Sequence, residues 1–132
     1  MKRVLTGLAV AVGVGVISLV VAWQIAVTIA LDYPCESTIL FERESPNGAF
    51  VFSVFKRDCG ATTSYAYGLS IRPVGNEFEQ SARDEVLIME GDEPAAAFWV
   101  DVDRIRVDIP KGAEIFRSDQ KWEDITITYE TN

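Results

Sequence analysis

The residues of this chain with most chemistry to offer are two cysteines, Cys35 and Cys59, and twenty carboxylates, in 132 residues that include no histidine. A nucleophilic Cys59 in Arg57-Asp58-Cys59-Gly60 would have a guanidinium nearby to favour the thiolate, but no imidazole to serve as its base. The same lack excludes serine–histidine–aspartate and cysteine–histidine nucleophilic sites, histidine-ligated zinc and haem held by histidine. Two carboxylates can still cleave a glycosidic bond by acid/base chemistry. Glu90, Asp92 or Glu93 with Asp101 or Asp103 are the pairings to weigh, yet their spacing singles out none, and a charged surface explains them equally well. Calcium would want several carboxylate and carbonyl oxygens. Asp101, Asp103, Asp108 and Glu114 are the candidates, but the chain has no Asp-x-Asp-x-Asp-Gly run, and Asp101 and Asp103 stand at a strand–turn junction where aspartate is ordinary. The expectation is a protein that is not an enzyme, with no catalytic residues, no cofactor and no metal.

The cysteines then read as a pair. If they lie outside the cytoplasm they should be oxidised, and Cys35 with Cys59 is the intramolecular pairing available. Such a bridge closes a loop of about 25 residues and contributes roughly 3 to 4 kcal/mol on the chain-entropy model.

The position of these residues depends on the segment before them. Val4 to Leu31 is uncharged, 28 residues, which as a helix would run about 42 Å against the roughly 30 Å of a bilayer's hydrocarbon. A cleaved signal peptide has a much shorter apolar region, although Thr28 and Ala30 would suit its cleavage site. A signal anchor is therefore expected, and a mature chain that keeps Met1 or begins within a residue or two of it. Asp32, Tyr33 and Pro34 precede Cys35 where a lipoprotein signal needs small residues, so Cys35 is not read as an acylation site. Lys2 and Arg3 precede the run and Asp32, Glu36 and Glu42 follow it, which puts the N-terminus in the cytoplasm and the rest outside. Trp23 and Tyr33 are aromatics of the kind found at headgroup level, and the hydrocarbon-spanning part is expected to end near Trp23. Along this helix Gly7, Ala11 and Gly15, then Ser18, Ala22, Ala26 and Ala30, recur on one face at four-residue spacing, a pattern that lets helix backbones approach closely.

Without Lys2 and Arg3, ten basic residues face twenty acidic ones, a net charge of minus 10. That surface repels phosphate backbones and anionic headgroups. Nucleic acid is excluded as a partner. Apolar runs separated by turn residues divide residues 32–132 into strands: Ser37 to Glu44, Phe50 to Phe55 with both faces apolar, Tyr65 to Arg72 with one buried face, Glu85 to Glu90, Ala97 to Val102, Arg104 to Ile109 and Ile125 to Glu130. Ser45-Pro46-Asn47-Gly48, Pro73-Val74-Gly75-Asn76 and Pro110-Lys111-Gly112 punctuate them. The expected fold is an all-β extracytoplasmic domain, an antiparallel blade-like meander or sandwich of six to eight strands over 32–132, behind a single transmembrane α-helix over 4–31, with 1–3 cytoplasmic.

Two motifs carry resemblances. Ser45-Pro46-Asn47-Gly48-Ala49-Phe50-Val51-Phe52 resembles the turn-and-strand signature of Tol-associated β-propeller blades, and Trp99-Val100-Asp101-Val102-Asp103-Arg104-Ile105-Arg106-Val107 looks like a degenerate second copy. The likeness implies two blade-like meanders stacked on one another, too few to close a propeller. Phe55-Lys56-Arg57-Asp58-Cys59-Gly60-Ala61-Thr62-Thr63, behind the Ser-Pro-Asn-Gly turn, resembles an uncharacterised group of small exported bacterial proteins over roughly residues 35 to 110. That resemblance implies a bacterial envelope protein and brings no activity with it. By their residue types alone, Cys59 would pin the end of a central strand by its disulfide, Gly60 would turn the backbone, and Thr62 and Thr63 would open the next strand. The alternative is a recognition loop made of Arg57, Asp58, Thr62 and Thr63.

The functional expectation is an accessory or scaffolding subunit in the bacterial inner membrane, its helix packed on another transmembrane protein or complex. A free-standing envelope protein that binds a ligand or cation is the alternative, and a carboxylate-based hydrolase the third reading.

Overall fold

The computed structural model describes residues 1–31, 35–60 and 64–132, with the backbone alone for 28–31. The chain divides into two compact units, one carrying the helix and the other Cys35–Asn132. The helix, α1, runs Lys2–Leu31. It is the one helix among the described residues long and apolar enough to cross a membrane. Two of its hydroxyls are satisfied within the helix: Thr6 Oγ1 donates to Lys2 O at 2.6 Å and Ser18 Oγ to Val14 O at 2.9 Å. Neither therefore brings an unpaired donor into an apolar medium.

Nine strands follow among the described residues, in two sheets. The first sheet has the order β1 (Glu36–Glu44), β2 (Phe50–Asp58), β3 (Ala66–Pro73), β4 (Glu85–Glu90) and β7 (Glu114–Ser118). The second has β5 (Ala96–Asp101), β6 (Arg104–Ile109), β9 (Ile125–Thr131) and β8 (Lys121–Trp122). Their apolar faces meet in one core, in which Phe52, Leu69 and Leu87 of the first sheet and Ile105, Val107 and Ile127 of the second are buried. The fold is thus all-β, as the alternating runs predict, and all seven strands read from them are present. Two corrections apply. The count is nine rather than six to eight, because β7 and the two-residue β8 are added. The sheets are mostly antiparallel, but β6 and β9 pair in parallel, Ile105 opposite Ile127 and Val107 opposite Tyr129.

The first four strands form an up-and-down meander. Its first turn is held by its own side chains. Ser45 Oγ lies 2.7 Å from Asn47 Oδ1 and accepts from Phe50 N at 3.0 Å, Gly48 N donates to Ser45 O at 2.8 Å, and Gly48 has φ of 69°. In β2, Phe50 to Phe55 is covered on both faces, as its composition implies. β3 differs from its reading: Gly68, Ser70 and Arg72, the positions alternate to the apolar ones, are also buried. The reason is Phe55, whose ring lies across the backbone at Gly68, where a Cβ would come within 2.3 Å of it. Phe78 then packs on Phe55, centroids 5.3 Å apart. The outer face of β2 and β3 is therefore a second buried layer, in which Ser53, Ser70 and Arg72 are polar.

Aromatic side chains clasp the two sheets together. Trp99 Nε1 of β5 donates to Arg43 O of β1 at 3.0 Å. The Tyr129 hydroxyl of β9 lies 2.7 Å from Asp119 O and 3.1 Å from Val86 O of β4, so one proton serves two carbonyls. Burial of this phenol, with Asp119 beside it, pushes its pKa well above the usual tyrosine value.

Candidate functional site

Cys35 and Cys59 stand at disulfide distance. Glu36 of β1 pairs with Asp58 of β2, so the cysteines, one residue further out on each strand, are the next opposing pair, with Cα atoms 4.2 Å apart. Rather than spanning distant parts of the domain, the bridge locks the open end of the β1–β2 hairpin. It does so beside two facing carboxylates, Glu36 and Asp58, which oppose closure. Gly60, at φ of 119°, makes the backbone change direction there.

Of the candidate recognition loop, Thr62 and Thr63 lie outside the described residues. Arg57 is not on a loop but in β2, partly buried, where it forms an ion pair with Glu85 of β4 and lies 5.2 Å from the Phe55 ring centre. Asp58 is exposed, and its carboxylate accepts from Gly60 N at 3.0 Å. The expected patch is thereby split between a buried ion pair and a strand end.

Arg57 belongs to the polar layer on the outer face of the first sheet, which the sequence reading missed. Arg72 bonds to Ser53 Oγ and reaches Glu42 Oε1 at 2.6 Å, and its Nε donates to Asn76 O at 2.9 Å. The donors on Ser53 and Arg72 hold the Glu42 carboxyl below its ordinary pKa. Ser70 of β3, opposite Ser53 on β2 and Glu85 on β4, is 1% exposed, and its hydroxyl has no hydrogen-bond partner among the described residues. Strict alternation of Ser53, Ser70 and Arg72 with buried apolar residues was a signal of this layer. It was masked because such residues ordinarily face water.

The weighed pairings of Asp92 or Glu93 with Asp101 do not form. Asp92 and Glu93 precede β5 and Asp101 ends it, which at the rise of a strand separates them by roughly 25 Å, against the 5 to 9.5 Å that glycosidases use. Asp101 accepts from Val102 N at 2.8 Å and pairs with Arg104 at 3.1 Å, both of which lower its pKa. The calcium candidates do not converge either. Asp101 and Asp103 flank the β5–β6 turn, Asp108 is near the other end of β6, and Glu114 lies in the other sheet opposite Glu90. No group of three or more histidine, cysteine or acidic residues fit to hold a metal occurs among the described residues.

Two adjoining hollows lie along the β5 edge. One, of about 350 Å³, separates β5 from β1 and is lined by Phe41, Arg43, Glu44, Ala97, Phe98 and Trp99. Ala96 belongs to its wall and also to that of the second, of about 630 Å³, which Asp92, Glu93, Asp108 and Lys111 border. Asp108 Oδ1 is sheltered from solvent. Arg106 Nε lies 3.2 Å away as an ion-pair partner, but no well-directed hydrogen bond reaches that oxygen.

On α1 the stripe residues from Gly7 to Ala26 are exposed, and a Cβ at Gly7 or Gly15 would meet nothing. The side chain of Ala30 lies outside the described residues. Comparison with protein-family models, curated proteins and solved structures found no match.

Proposed function

We propose that this protein is a single-pass protein of the bacterial inner membrane, N-terminus inside and β-domain outside, and a non-catalytic accessory subunit of an integral membrane complex. The observation that supports it most is α1. Its apolar side chains from Val4 to Ile25 are exposed, Leu8 at 66% and Trp23 at 70% among them, a surface suited to hydrocarbon rather than to water. Lys2 and Arg3 favour the stated orientation, and a cysteine pair at disulfide distance suits an oxidising compartment. The stripe from Gly7 onward offers a second helix close approach.

The absence of catalysis is inferred from what the carboxylates do. An acid catalyst needs a carboxyl raised toward the working pH. Glu42 and Asp101 are held the other way, by donors within the fold. Glu85 is engaged by Arg57.

Co-purification in mild detergent tests the reading. Gly15→Leu and Ala22→Leu, which place bulk on the stripe, should lower recovery of the partner while membrane insertion is unchanged. Val14→Leu and Val21→Leu should retain it. Equal retention by all four would favour the free-standing envelope protein that binds its ligand through the β-domain.

A further inference from the structure

Three of the four sheet edges carry an extra residue that breaks their pairing. The register shifts between Ile39 and Phe41 leave Leu40 of β1 unmatched, those between Trp99 and Asp101 leave Val100 of β5, and those between Ile115 and Arg117 leave Phe116 of β7. The fourth edge, β8, has only two residues. Interrupted or very short edges are poor templates for an added strand. A protein that meets this domain at an edge would do so through side chains rather than by extending a sheet. The unmatched residues are all apolar and exposed: Leu40 at 42%, Val100 and Phe116 at 60%.

Leu40 and Val100 are the chain neighbours of Phe41 and Trp99, which with Ala97 and Phe98 form the apolar part of the cleft between β1 and β5, beside the oppositely charged Arg43 and Glu44. At Ala96 that cleft passes into the hollow bordered by Asp92, Glu93, Asp108 and Lys111, where Asp108 is paired with Arg106 and the exposed negative charge is that of Asp92 and Glu93. We propose that cleft and hollow are one docking surface, whose occupant is a segment of a partner protein with large apolar side chains followed by basic ones. The inference rests on the accessory-subunit reading for the existence of a partner. Charge complementarity selects the occupant: Asp92 and Glu93 favour ammonium or guanidinium groups, and the cleft takes the apolar side chains beside them. A lipid surface with anionic headgroups would be repelled by the same acids.

The test uses the full chain in phosphatidylcholine nanodiscs with two dye-labelled, amidated peptides, Leu-Phe-Gly-Lys-Lys and its charge reversal Leu-Phe-Gly-Glu-Glu, and reads fluorescence anisotropy. The basic peptide should bind at least about tenfold more tightly than the acidic one. Trp99→Ala should weaken it by about tenfold or more, as should Asp92→Asn combined with Glu93→Gln. Asp92 and Glu93 are exposed, so the double variant should keep its thermal midpoint. Phe116→Ala, on the other sheet's edge, should bind as the parent does. Equal affinity for the two peptides, equal binding to empty nanodiscs, or unchanged affinity in the double variant would each overturn the proposal. None of these results would alter the co-purification outcome, so the two readings fail separately.

Discussion

Phe55 occupies the space a side chain at Gly68 would need, and this contact covers the outer face of β3 at Gly68. Gly68→Ala should therefore cost about 2 to 3 kcal/mol, the range for forcing extra volume into a packed site. Two residues further along the same strand the reverse holds. Ser70 is buried with an unmet hydroxyl, and Ser70→Ala, which removes a desolvated polar group, should be neutral or raise stability by up to about 1 kcal/mol. Urea titrations of the two variants check both signs. Glu42 makes stability depend on pH. Its folded pKa lies below the ordinary 4.5, so its contribution is complete above that value and is lost as pH falls through the folded pKa. Glu42→Gln should flatten the acid limb of a stability–pH profile and leave its slope above pH about 6 unchanged.

At the scale of elements, alternation and turn chemistry were enough to place seven strands, and they failed where pairing is irregular. In Glu114-Ile115-Phe116-Arg117-Ser118 the extra residue puts two apolar side chains in succession and erases the period that marks a strand. β8 is too short to have a period. The parallel partnering of β6 with β9 is a matter of long-range order, about which neither strand's composition speaks. The polar layer was missed for a related reason: Arg72 and Glu85 are buried, and Arg57 partly so, because they face one another or Glu42 across strands. The β8–β9 turn gives a prediction. Glu123 holds φ of 49°, a left-handed conformation that costs a side-chain-bearing residue roughly 1 to 2 kcal/mol. Glu123→Asn should raise the thermal midpoint, because asparagine adopts this conformation more readily and the ion pair lost, with Arg83 at 3.5 Å, is exposed.

At the scale of the molecule, the disulfide sits where the segment from the helix enters the domain. β1 is an edge strand and begins directly after Cys35, so a pull on the chain from its N-terminal side would act to peel it from β2 one pair at a time. The bridge opposite Cys59 passes that load to a strand with neighbours on both sides. Replacing both cysteines by serine should lower unfolding free energy by about 3 kcal/mol, given the 24-residue separation. Native mass spectrometry of the protein extracted from its own membrane in mild detergent tests the central claim most directly. The account predicts an intact chain that keeps its apolar helix and disulfide and travels in stoichiometric complex with an integral membrane protein. A lone chain recovered from the soluble fraction and beginning near Leu31 would contradict it.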